Sequence, residues 1–108
     1  MPRQTDLGLD DLTRFYENYY EELGVPKCFI ANEIAAEAIE YGSEKAYEYL
    51  RNFLKDENSH IRYVGIAALA AAGRSEGIKT LKEYVETENS PTLKLFANEA
   101  IEKLKMVN

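Results

Sequence analysis

The stretch ENSHIRYVGIAALAAA, residues 57–72, is echoed by ENSPTLKLFANEAIEKL, residues 88–104. Its opening Glu57-Asn58-Ser59 returns as Glu88-Asn89-Ser90, a shift of 31, and upstream of it Leu50 maps onto Leu81 and Leu54 onto Val85. A fixed shift of this length marks stacked supersecondary units rather than one irregular domain. Extended backwards, it carries Tyr16 to Tyr47, Tyr19 to Leu50 and Leu23 to Leu54. In the alternate segments Ala35, Ala38 and Ile39 match Gly65, Ala68 and Leu69, then Ala97, Ala100 and Ile101, with shifts of 30 and 32. Three copies of a two-segment unit fill the chain.

Each segment has the 3.6-residue spacing of an amphipathic helix. Residues 10–23 carry Leu12, Phe15, Tyr16, Tyr19 and Leu23, with Asp10 and Asp11 suited to the helix N-terminus. Residues 26–41 carry Ile30, Ile34, Ala35, Ala38 and Ile39, stopped by Gly42. A third helix is predicted after Ser43 (Ala46, Tyr47, Leu50, Leu54) and a fourth after Ser59 (Ile61, Val64, Gly65, Ala68, Leu69, Ala72), ended by Gly73. A fifth follows Ser75 (Ile78, Leu81, Tyr84, Val85), and a sixth opens with a Ser90 cap and Pro91 in the first turn (Leu93, Phe96, Ala97, Ala100, Ile101, Leu104). Fraying is expected near Met106. The domain is therefore expected to be a single all-α unit over residues 10–105, with hairpins at about 10–41, 43–73 and 75–105 and a flexible start at 1–9. The small residue that recurs before each Ala-large pair points to a close approach between stacked hairpins, closest at Gly65.

Composition narrows the function classes. A length of 108 residues suits one core without disulfides or metal, and 45% hydrophobic with 30% charged residues is ordinary for a folded chain. The single Cys28 makes no internal disulfide, and the polar opening has no apolar stretch of the kind a secretory signal needs, so the cytosol is the expected compartment. The longest apolar run, residues 66–72, is far below the ~20 residues of a membrane-spanning helix. Of the net charge of −6, all the excess lies in residues 1–54, with 5 Lys+Arg against 11 Asp+Glu, while residues 55–108 balance at 8 against 8. That asymmetry disfavours a phosphate backbone and favours a basic protein surface.

These residues resemble HEAT repeats, in particular the short phycocyanobilin-lyase-like subclass, best over residues 43–105. The resemblance implies a right-handed superhelical stack of three helical hairpins with the even helices on its concave side. It also implies a structural ladder between repeats, formed by pairs in which an acidic residue at the hairpin turn is followed six positions later by a basic one, here Asp56 with Arg62 and Glu88 with Lys94. Residues 10–42 depart from the pattern: Asn32 stands at the basic position and Gly24-Val25-Pro26 lacks the acid. The first hairpin is therefore expected to be a degenerate cap. A tetratricopeptide reading fits worse, since the period here is shorter than 34 residues and the Trp, Leu-Gly and Tyr signature is absent.

No residue set points to catalysis. Cys28 has no nearby histidine, so a packed cysteine is the expected reading. Glu57 and His60 have Glu-x-x-His spacing but straddle a turn, and a di-iron site needs two such motifs. One histidine, followed by isoleucine, excludes a hydroxylase of the repeated His-Glu type. Neither cofactor nor metal is expected. The acids of the even helices make a nucleic-acid role unlike this sequence. A bilin-lyase-type component binding a small ligand is the alternative that the resemblance alone suggests.

The expected site is a partner-binding surface on the even helices, with equivalent rows Glu33, Tyr63 and Leu95; Ala36, Ile66 and Asn98; Glu40, Ala70 and Glu102. Tyr63, Ile66, Ala70 and Leu95 make its apolar centre, flanked by Glu33, Glu37, Glu40, Asn98, Glu99 and Glu102. A basic amphipathic segment of another protein, or a second copy of the chain, would suit it. Tyr49 falls off the apolar stripe and is expected to be exposed.

Overall fold

The computed structural model describes residues 8–108, and every regular element among them is helical. In chain order these are α1 (Leu9–Glu17), a short 3₁₀ helix (Glu21–Leu23), α2 (Lys27–Tyr41), α3 (Glu44–Phe53), α4 (Ser59–Ala72), α5 (Glu76–Thr87) and α6 (Pro91–Val107). Of the flexible start predicted over 1–9, residues 1–7 lie outside the described residues, and Leu9 already belongs to α1.

The first segment departs from its predicted course. Residues 10–23 are not one helix, because α1 stops at Glu17 and Asn18 turns away with φ −115° and ψ 47°. The Asn18 amide side chain donates to the Arg14 carbonyl at 3.3 Å, the local bonding by which Asn competes with a continuing helix. The Tyr19 hydroxyl donates to the Val25 carbonyl at 2.7 Å and closes the loop. Leu23, whose counterpart Leu54 is buried, is therefore 40% exposed.

Elsewhere local chemistry sets the ends. Ser43 caps α3 by accepting from the Ala46 N–H, and Ser90 caps α6 by accepting from Leu93 at 3.2 Å, with Pro91 in the first turn. At α4 the cap is Asn58, whose side chain accepts from His60 at 2.8 Å, and Ser59 is the first helical residue. Ser75 is already helical and makes no cap bond. Gly42 and Gly73 adopt φ of 64° and 72°, the left-handed conformation that ends α2 and α4. α6 outruns the expected fraying at Met106, held by Asn108, whose side chain donates to the carbonyls of Leu104 (2.8 Å) and Gly73 (3.2 Å).

The even helices form one layer, α2 against α4 and α4 against α6, while α1, α3 and α5 lie mainly on their neighbours in sequence. The Cα envelope of 36 × 32 × 16 Å is two helix layers thick. Its centre holds Tyr47, Leu50, Phe53, Ile61, Ile66, Leu69, Leu81 and Leu104, all fully or almost fully buried. On the odd side the Arg74 guanidinium stacks 4.2 Å above the Tyr47 ring and pairs with Glu44 at 2.8 Å, tying the turn before α5 to α3. Tyr49, expected to be exposed, is half-buried with its ring edge-on to Tyr16 at 6.1 Å.

Gly65 is a point of close approach, but within its own hairpin rather than between hairpins. A Cβ there would lie 3.0 Å from the Leu50 carbonyl oxygen and 3.1 Å from both Leu54 Cδ2 and Phe53 Cβ, all on α3 or its end. Gly65→Leu is expected to lower stability by about 1–3 kcal/mol through overpacking, read as a lower urea midpoint. A midpoint equal to that of the wild type would show that α3 and α4 are not in this contact.

Candidate functional site

Polar bonds join the hairpins at their turns. Arg62 of α4 makes a two-point contact with Glu88 of the third hairpin, Nε to Oε1 at 2.8 Å and Nη2 to Oε2 at 3.3 Å. Its Nη1 donates to the carbonyls of Asp56 and Glu57, each at 3.0 Å. Glu88 is buried and accepts further from the Tyr84 hydroxyl and from the Ser90 N–H at 2.9 Å. Burial would raise its pKa, but Tyr84, the Ser90 amide and Arg62 outweigh that and hold it down to about 2. Burial and the bond to Glu88 in turn raise the Tyr84 hydroxyl far above the ordinary phenol range.

The other joint uses a different cation. Asp56 accepts from the Tyr16 hydroxyl at 2.7 Å, Lys27 at 3.1 Å and the Asn58 N–H at 2.9 Å. Burial opposes its ionisation, but these three bonds keep its pKa below the usual carboxylate value. Lys27 thus replaces the cation missing at Asn32, five positions earlier in the chain. The predicted ladder is corrected in its pairing. Arg62 meets the carboxylate of Glu88 and only the backbone of Asp56, while Lys94 is exposed and makes no ion pair among the described residues. The cation at the start of one hairpin's second helix, or within it, reaches the acid at the next hairpin's turn.

On the even-helix face, a groove of about 350 Å³ runs between α2 and α4. Its lining includes Ala36, Ile39 and Glu40 from α2 with Tyr63, Ala67 and Ala71 from α4. Tyr63 is 44% exposed and stands on the ridge of α4, with its ring edge-on to Phe96 of α6 at 5.3 Å. Leu95 and Ile39 are exposed on the flanking helices at 56% and 41%. The open line of α4 is thus Tyr63, Ala67 and Ala71, every fourth residue, with Ala70 half-buried beside it.

Ile66 is not on this surface. It is 2% exposed, one helical step round from Ala67, and belongs to the core instead of the apolar centre predicted for the surface. Six of the remaining predicted residues divide among three places. Tyr63 and Glu40 share the α2–α4 groove. Glu33 lines a separate apolar groove with Leu12, Phe15 and Phe29. Asn98, Glu99 and Glu102 border a shallow hollow on α6 with Lys103 and Met106, and Glu102 pairs with Lys105 at 3.3 Å. Glu37 is half-buried on α2. Sequence reasoning missed Ile39, Ala67, Ala71 and Phe96. The four-residue spacing of Tyr63, Ala67 and Ala71 was the available signal.

The described residues contain no group of three or more His, Cys, Asp or Glu able to hold a metal ion, and no helix among them is long and apolar enough to cross a membrane. Cys28 is half-buried and packs against the core.

Residues 28–102 match the family described as HEAT repeats. No curated protein and no solved structure matches the chain.

Because the Glu88 pKa lies near 2 in the fold and near 4.5 when unperturbed, its ionised form stabilises the fold fully above about pH 4.5. That contribution fades as the pH falls towards 2. Glu88→Gln is therefore expected to lower the urea midpoint at neutral pH, with the gap to wild type closing between pH 4.5 and 2. A gap that stays constant across that window would contradict the assigned bonds.

Proposed function

The chain belongs to the HEAT-repeat family, and from that premise we propose that it is a non-catalytic protein-binding module whose docking surface is the outward face of its even helices. HEAT repeats generally mediate protein–protein interaction. The observation that carries this reading is the exposed apolar line of Tyr63, Ala67 and Ala71, set between Ile39 on one side and Leu95 and Phe96 on the other. Alanines between larger flanking side chains leave a trough, and an aromatic on its ridge is the residue type that carries binding energy once desolvated. Glu40 puts negative charge on the α2 side of the groove. A basic amphipathic helix is the partner this arrangement suits, its apolar face on α4 and its cations towards that side. Repeat shifts of 30 to 32 residues support the short, phycocyanobilin-lyase-like subclass. No further observation favours a bilin-lyase role.

A photo-crosslinking residue placed at position 67 is expected to capture a protein through a basic helix, and the same residue at position 86, on the exposed side of α5, is not. Identical products from both positions would sink the proposal. Tyr63→Asp is expected to abolish capture while keeping the helical circular dichroism, with a stability loss of about 0.5–1.5 kcal/mol from the Phe96 ring contact. Ile66→Asp, which buries an unpaired charge, is expected to unfold the chain.

A further inference from the structure

The first hairpin has a second apolar groove, which shares no lining residue with the one between α2 and α4. It holds about 290 Å³ between α1, the 3₁₀ helix and the start of α2, with Leu12 and Ile30 as a buried floor and Leu23, Val25 and Phe29 as an open rim. Phe29 is 57% exposed on the first turn of α2. The volume is at the lower edge of small-molecule pockets, roughly 300–1,000 Å³. It suits one or two apolar side chains better than a cofactor. The other end of the stack is unlike it. At positions equivalent to Ile66 and Ala70, α6 carries Asn98 and Glu102, both exposed.

The charge around the groove selects its occupant. Residues 8–42 contain 2 Lys+Arg against 8 Asp+Glu, and residues 43–108 contain 10 against 10, so the first hairpin carries the whole net charge of −6. Glu21 and Glu22 stand beside Leu23 on the exposed 3₁₀ helix, and Glu33 lines the groove itself. Two copies meeting here would set like charge against like, which disfavours self-association at this face. A segment with Lys or Arg on either side of an apolar anchor gains both burial and attraction.

We propose that this groove is a docking site, separate from the even-helix face, for a leucine or phenylalanine side chain on a basic segment of a partner protein. The broken course of the first segment creates it. The stop at Asn18 and the 3₁₀ turn leave Leu23 and Val25 lining an open groove instead of packed as a continuous helix would place them. The acidic surround acts within a Debye length of about 8–10 Å, so affinity falls with salt.

The test titrates the isotope-labelled full chain with two peptides and follows its amide resonances. One is an amphipathic helix of lysine with leucine on one face, and the other has serine in place of each leucine. The lysine–leucine peptide is expected to shift the amides of Leu23, Val25 and Phe29 and to bind more weakly at high salt. The serine peptide is expected to leave them unmoved. Phe29→Asp and Val25→Ser, both at exposed positions, are expected to keep the helical circular dichroism and weaken binding about tenfold. Tyr63→Asp is expected to leave the groove shifts intact, which separates failure here from failure of the even-helix reading. The proposal is overturned by unmoved groove amides, by equal shifts with the serine peptide, or by their loss in Tyr63→Asp. A dimer in light scattering that Phe29→Asp dissociates would assign the groove to a second copy and overturn it as well.

Discussion

After Arg62, α4 carries no charged or strongly polar side chain, and this constraint organises the rest of the molecule. A helix that is apolar nearly all round must be covered nearly all round. α3 covers one side at the distance of a missing Cβ, and α2 and α6 cover the two flanks. One line remains open, through Tyr63, Ala67 and Ala71. The proposed docking surface is thus the uncovered remainder of the helix that builds the core.

The joints between hairpins solve a different problem. Apolar helix faces tolerate sliding, whereas a buried carboxylate held by a guanidinium fork, a phenol and a backbone amide does not. Glu88 is bound in this way by Arg62, Tyr84 and Ser90, and at the half-buried Asp56 the Lys27 ammonium stands in for the guanidinium beside Tyr16 and Asn58. Removing one partner from such a set leaves the other charge buried and unpaired, which costs more than the bond itself contributes. These sites tie the second helix of one hairpin to the turn of the next, and Tyr63 of α4 meets Phe96 of α6.

What was legible in the sequence is what is local or periodic. The recurring Glu-Asn-Ser, the Ser43 and Ser90 caps and the glycine stops gave five of the six helices, because each depends on a few adjacent residues. The face of α4 was not legible, since a helix this uniformly apolar has no contrast from which to read orientation, and Ile66 and Ala67 differ by one helical step. The role of Lys27 was hidden because its target, Asp56, is 29 residues away and the repeat pattern pointed to Asn32. The break at Asn18 was hidden by a helical spacing that continued through Leu23, although the chain did not. Phe96 was assigned to the core stripe by spacing, yet it sits at its edge, 36% exposed against Tyr63.

Residue-resolved hydrogen exchange of the free chain tests most directly whether α4 is the element on which the stack depends. The amides of α4 from Val64 to Leu69, covered by three helices, are expected to exchange only through global unfolding, at the free energy given by urea denaturation, while α1 opens at lower cost. Exchange of the α4 amides through a partial opening, at a free energy no higher than that of α1, would contradict the account.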